Sequence, residues 1–119
     1  MQEQELQWSS VCKLEELSPS IGVRALVNGR QVALFNVKDR LYAIDAIDPF
    51  TKTAVLSRGI VGDLKGRVVV ASPLYKQHFD LATGECLEDQ SVRVNTYPVR
   101  LQGEYLELGF GSYHEAVSA

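Results

Sequence analysis

Asn28-Gly29 separates two runs, 22–27 (GVRALV) and 31–37 (QVALFNV), that are rich in β-branched and apolar residues. This dipeptide tolerates positive φ at both central positions of a two-residue type I′ turn, so the chain is expected to double back here as a hairpin. Lys38-Asp39-Arg40 makes a second turn and Leu41–Asp45 a third strand, which extends the hairpin into an antiparallel meander. A further hairpin is expected around Gln102-Gly103, between 94–102 and 104–110. There Val99, Leu101, Leu106 and Leu108 share one buried face while Arg100 and Glu107 point outward. Residues 7–12 form a weaker strand with Trp8 and Val11 available for burial, and Glu15–Ser20 is a loop or helical turn ended by Pro19.

Regular patterning lapses from Ala46 to Gly66. Asp48-Pro49 opens a loop, Thr53 to Leu56 suit a helical turn, and Gly59, Gly62 and Gly66 punctuate the rest. Val68–Ala71 then leads to a Ser72-Pro73 break, a short strand over His78–Leu81, and a Thr83-Gly84 turn. No internal repeat stands out. Many short strands joined by turns indicate an all-β antiparallel sandwich or small barrel. With 119 residues the chain is read as a single domain, 1–119, with its core over about 8–110 and a frayed tail at 111–119. A net charge of −3 without a basic block argues against nucleic acid and anionic membranes as partners. No apolar run suits a signal peptide or a span, so a cytoplasmic location is expected, with Cys12 and Cys86 as buried thiols rather than a disulfide.

The stretch 72–84, SPLYKQHFDLATG, resembles the second cluster-binding loop of Rieske-type iron–sulfur domains. In that family the loop reads Cys-Pro-x-His, followed by Gly, an aromatic, Asp-Leu and a Thr-Gly turn. The first loop, Cys-Pro-His or Cys-x-His, falls at Asp48-Pro49-Phe50 after Tyr42–Asp45. A Rieske cluster needs two thiolates on one iron and two imidazoles on the other. Asp48, Phe50, Ser72 and Tyr75 stand at those four places. Phe50 has no lone pair, and a serine hydroxyl is far too basic to act as a thiolate. His78, Asp48 and Asp80 are the remaining candidates for a sparse mononuclear site, against the plainer reading of His78 as a partly buried strand residue with one hydrogen bond.

Other catalytic arrangements are missing. Ser72-Pro73 is no activated-serine motif, and Glu85 and Glu88 beside Cys86 would raise its thiol pKa. Asp45 and Asp48 are loop carboxylates suited to solvent exposure or backbone capping rather than acid–base work. The Gly59–Asp63 run lacks the Lys-Ser/Thr ending of a phosphate loop.

Asp48–Phe50, Val55–Asp63 and Ser72–Leu81 together resemble the small subunit of bacterial NAD(P)H-dependent assimilatory nitrite reductases, over about Trp8 to Phe110. The resemblance implies a non-catalytic subunit of a cytoplasmic complex that reduces nitrite to ammonium. The FAD, iron–sulfur centre and sirohaem would lie on the large subunit. Two rivals are an electron carrier holding another metal in the altered loops and a stand-alone ligand-binding module using the loop cleft. On the favoured reading, loops 46–50 and 72–77 lie side by side, stiffened by Pro49 and Pro73, and Phe50 and Tyr75 plug the vacated volume. Phe50, Arg58, Pro73, Leu74, Tyr75 and Lys76 are the candidate docking surface for the large subunit, against the plainer reading that they only close the end of the sandwich.

Overall fold

Val32, Ala33, Leu34, Phe35 and Val37 are all buried, which a strand achieves only when both of its faces are covered. A computed structural model describes residues 6–74 and 76–111 and shows what covers them. The described strands, all paired antiparallel, are β1 (Leu6–Lys13), β2 (Val23–Val27), β3 (Arg30–Val37), β4 (Arg40–Asp45), β5 (Ile47–Asp48), β6 (Thr53–Ala54), β7 (Ile60–Leu64), β8 (Arg67–Ala71), β9 (His78–Asp80), β10 (Val99–Gln102) and β11 (Tyr105–Gly111). Two 3₁₀ turns, Leu14–Glu16 and Leu56–Arg58, complete the described elements. Sheet orders are β1-β11-β10, β2-β3-β4 and β7-β8-β9, with β5-β6 as a small separate ladder.

The meander β2-β3-β4 sits in the middle. Val32 and Leu34 of β3 pack with Leu106, Leu108 and Phe110 of β11, while Ala33, Phe35 and Val37 pack with Val70, Phe79 and Leu81. Alternate residues of one strand thus serve two cores. The expected sandwich therefore has three main sheets, with a core on each face of the meander. The turn at Asn28-Gly29 has φ of 51° and 78°, as a type I′ turn requires. Lys38 and Asp39 repeat that geometry without glycine, at 52° and 67°.

Several expectations need correction. The turn between β10 and β11 is Gly103-Glu104, because Gln102 pairs with Tyr105. Leu101 is 45% exposed instead of sharing the buried face of Leu106 and Leu108, because its inward side has no covering layer at the sheet's edge. Ala46–Gly66 is more regular than its composition suggests. Thr53-Ala54 is a strand, the 3₁₀ turn follows it, and Ile60–Leu64 pairs with Arg67–Ala71 around Lys65-Gly66. Gly62 in mid-strand hid β7 from the pattern. The expected frayed tail lies, beyond Gly111, outside the described residues.

Candidate functional site

Two short loops end on neighbouring side chains. In the first, Asp48 pairs with Thr53, and the Lys52 N–H donates to the Asp48 carbonyl at 2.7 Å. In the second, the Ser72 N–H donates to the Gln77 carbonyl at 2.9 Å, and the Lys76 N–H donates to the Ser72 carbonyl at 3.0 Å. Each loop therefore opens on a buried polar residue followed by proline and an apolar residue, and closes on a lysine at positive φ, 60° for Lys52 and 66° for Lys76. Asp48-Pro49-Phe50-Thr51-Lys52 and Ser72-Pro73-Leu74-Tyr75-Lys76 thus open and close alike, a repeat the sequence reading missed. Its signal is a polar residue, Pro, an apolar residue, any residue and Lys.

The two opening residues meet. The Ser72 hydroxyl donates to Asp48 Oδ2 at 2.5 Å, and both residues are buried. Asp48 Oδ1 accepts the Phe50 N–H at 2.8 Å, and Ser72 Oγ accepts the Leu74 N–H at 3.4 Å. The loops thus lie side by side as expected, joined by a polar cross-link at the two places to which the sequence resemblance assigns the family's thiolates. Of the two roles the sequence reading offered Asp48, solvent exposure or backbone capping, it takes the second. Asp45 accepts from the Tyr97 hydroxyl and from the Asn95 N–H, so the two aspartates serve separate networks.

The strands beneath the second loop carry their own polar braces. Asp80 accepts from the Ala82 and Thr83 N–H groups and from Arg67 Nε at 2.7 Å, while Arg67 also reaches Glu85 at 2.7 Å. Burial alone pushes the Asp80 carboxyl up, but the bonds from Arg67, Thr83 and Ala82 outweigh it and hold the group below the usual carboxylate range. His78 Nδ1 lies 2.6 Å from Glu88 Oε2, and the His78 N–H donates to Glu88 Oε1. Burial raises Glu88, and those His78 contacts bring it below its ordinary value. Burial first, then the Glu88 and Asp89 charges, push the Cys86 thiol up, against two lowering backbone bonds. Cys12 and Cys86 are both free thiols, the first only partly buried.

These residues do not fit a two-iron cluster. The places for thiolates hold a carboxyl and a hydroxyl already bonded to each other, and a place for imidazole holds Phe50. Cys86 lies in the core beside Phe79 and Val94, and Cys12 faces Leu106 across β1 and β11, so neither thiol substitutes. Among the described residues no group of three His, Cys, Asp or Glu side chains is placed to hold a metal ion, so His78, Asp48 and Asp80 do not form the sparse site considered above. An open cleft of about 430 Å³ lies between β4 and Thr96–Val99, lined by Leu41, Leu81 and Tyr97.

The remaining predicted surface residues lie on the surface. Pro73, Leu74, Lys76 and Arg58 are exposed, with Leu74 at 50%. Phe50 is 37% exposed, with its ring centroid 6.3 Å from that of Phe79. Tyr75, its partner in the expected plug, lies outside the described residues.

Comparison with known proteins agrees with this geometry. The family described as a Rieske-like [2Fe-2S] domain matches residues 7–109. The nitrite reductase (NADH) small subunit of Salmonella typhimurium is 42% identical over 104 residues, covering 86% of this chain and 96% of that protein. The solution structure of the Escherichia coli protein NirD superposes with a TM-score of 0.83 at 41% identity, covering 91% of this chain and all of that one. A nitrite reductase NAD(P)H large subunit from Klebsiella oxytoca contains a stretch 35% identical over 102 residues, covering 86% of this chain but 11% of that protein.

Proposed function

Because the chain belongs to the Rieske-like [2Fe-2S] domain family, among the small subunits of NAD(P)H-dependent nitrite reductases, we propose that it serves such a complex as its non-catalytic small subunit. It acts by contact with a large subunit that carries the FAD, the iron–sulfur centre and the sirohaem, in the cytoplasm. The observation that carries this reading is the buried Asp48–Ser72 bond. It closes the site with hard oxygen groups, so the fold is kept while the means of holding a two-iron cluster is replaced. The Klebsiella relative supports the pairing, since there a counterpart of this domain lies within the large-subunit chain itself.

On this reading the docking surface is the loop tip, Phe50, Arg58, Pro73, Leu74, Tyr75 and Lys76. Apolar contacts at its centre with charged groups around them match the usual layout of protein interfaces. The test is affinity purification of the chain from cells reducing nitrite, with metal analysis of the isolated domain. Recovery of a flavin- and sirohaem-bearing large subunit is expected, with no stoichiometric iron on the domain alone. Failure to recover that subunit, or iron with acid-labile sulfide on the isolated domain, would overturn the reading.

A further inference from the structure

Resting on that docking reading, we infer that the large-subunit surface receiving the loop tip is an apolar depression rimmed by carboxylates. Residues 49–60 and 73–78 contain Lys52, Arg58 and Lys76 and no Asp or Glu, although the chain as a whole is net −3. All three cations are exposed, and among the described residues none of them makes an ion pair. Glu88, near the base of the second loop, is engaged with His78.

Hydrogen bonds tie together the backbone segments that carry Lys52 and Lys76. Lys52 N–H to the Asp48 carbonyl, Ser72 hydroxyl to Asp48, and Lys76 N–H to the Ser72 carbonyl form a continuous link of 2.7, 2.5 and 3.0 Å. Arg58 joins them because Gly59 presses against the strand end that leads into Ser72. A Cβ on Gly59 would come within 2.4 Å of the Ala71 carbonyl oxygen. Ile60, 78% exposed, pairs with Ala71 and adds to the apolar part of the tip with Leu74 and Phe50. Lys52 and Ile60 thus extend the surface beyond the residues that the sequence singled out.

A wholly apolar partner surface would strip water from three cations without compensation, which is costly. Carboxylates around an apolar centre satisfy the cations while Ile60, Leu74 and Phe50 are buried. Such rim charges act mainly on the association rate and its salt dependence. A nucleic acid would need a longer basic stripe than three cations on an acidic chain.

Association of the chain with its large subunit is measured at about 50 mM and about 500 mM salt, where screening lengths differ severalfold. The double variant Lys52→Glu/Lys76→Glu is expected to bind at least about tenfold more weakly at low salt, with the gap shrinking to about threefold or less at high salt. Lys65→Glu, at the far end of β7 from Ile60, should bind within about twofold of the parent. Zero-length carbodiimide coupling should join Lys52 or Lys76 to Asp or Glu of the large subunit. Binding of the double variant within about twofold of the parent at low salt, or cross-links confined to other lysines, would overturn the inference and leave the subunit assignment standing. Failure of the parent chain to bind at either salt would overturn both.

Discussion

The loop Asp48–Lys52 closes a ladder with only two residues in each strand, whereas Ser72–Lys76 rises from β8 and β9 within a three-stranded sheet. The two turns open and close alike, but the foundations are unequal. The side chains compensate accordingly. Asp48 uses one carboxyl oxygen to cap its own loop and the other to receive Ser72. Phe50 leans on Phe79, while its counterpart Leu74 is half exposed. The second loop has a sheet beneath it, braced by the Arg67–Asp80 pair. A turn without its own sheet must be held by what its side chains reach.

Unequal responses to substitution should follow. Asp48→Ala removes both anchors of the first loop and strands the Ser72 hydroxyl and the Phe50 N–H, with an expected cost of about 3 kcal/mol. Ser72→Ala removes the bond to Asp48 and the longer 3.4 Å bond from the Leu74 N–H, and should cost about 1.5 kcal/mol. Urea unfolding of both variants checks the order, and a Ser72→Ala loss equal to that of Asp48→Ala would erase the asymmetry.

The second loop's foundation should be the acid-sensitive one. Because the folded state holds Asp80 below its ordinary value, protonation favours the unfolded chain. Its contribution is complete above about pH 5 and drains away as pH falls through the lowered value. Asp80→Asn should lose about 2 kcal/mol at neutral pH. Thermal midpoints of variant and parent should converge toward pH 3 or so; a constant gap across that range would remove Asp80 from the account.

Smaller differences should separate the apolar residues. Phe50→Ala is expected to cost about 1–2 kcal/mol, below a fully buried aromatic because part of the ring faces solvent. Leu74→Ala should cost less than about 0.5 kcal/mol. Equal losses in denaturant melts would place both side chains in the same environment. The least effect belongs to the lysines at positive φ. Lys52→Gly and Lys76→Gly relieve backbone strain while loosening the unfolded chain, so each should shift stability by less than about 1 kcal/mol and in the same direction. Opposite signs would show that the two turns are not equivalent.

Much of this arrangement was legible in the residues. Asn28-Gly29 dictated a hairpin because few residues other than Asn, Asp and Gly accept its φ angles readily. Asp48, Phe50 and Ser72 announced the exchange of cluster ligands because thiolate and imidazole chemistry cannot be imitated by carboxyl, phenyl and hydroxyl groups. The repeated pattern was also written there, but five residues with two identities shared make too weak a repeat to notice. Tertiary structure alone decided the rest. Leu101 carries the same alternation as Leu106, yet only Leu106 has a layer over it. Trp8 pairs opposite Gly109, joining segments from the two ends of the described chain. Asp48 finds Ser72 across 24 positions, and what each would bond to depends on which sheet ends meet. Local periodicity fixes which way a side chain faces along its own strand. It carries no information about what stands opposite, and that is where burial and the polar cross-link were determined.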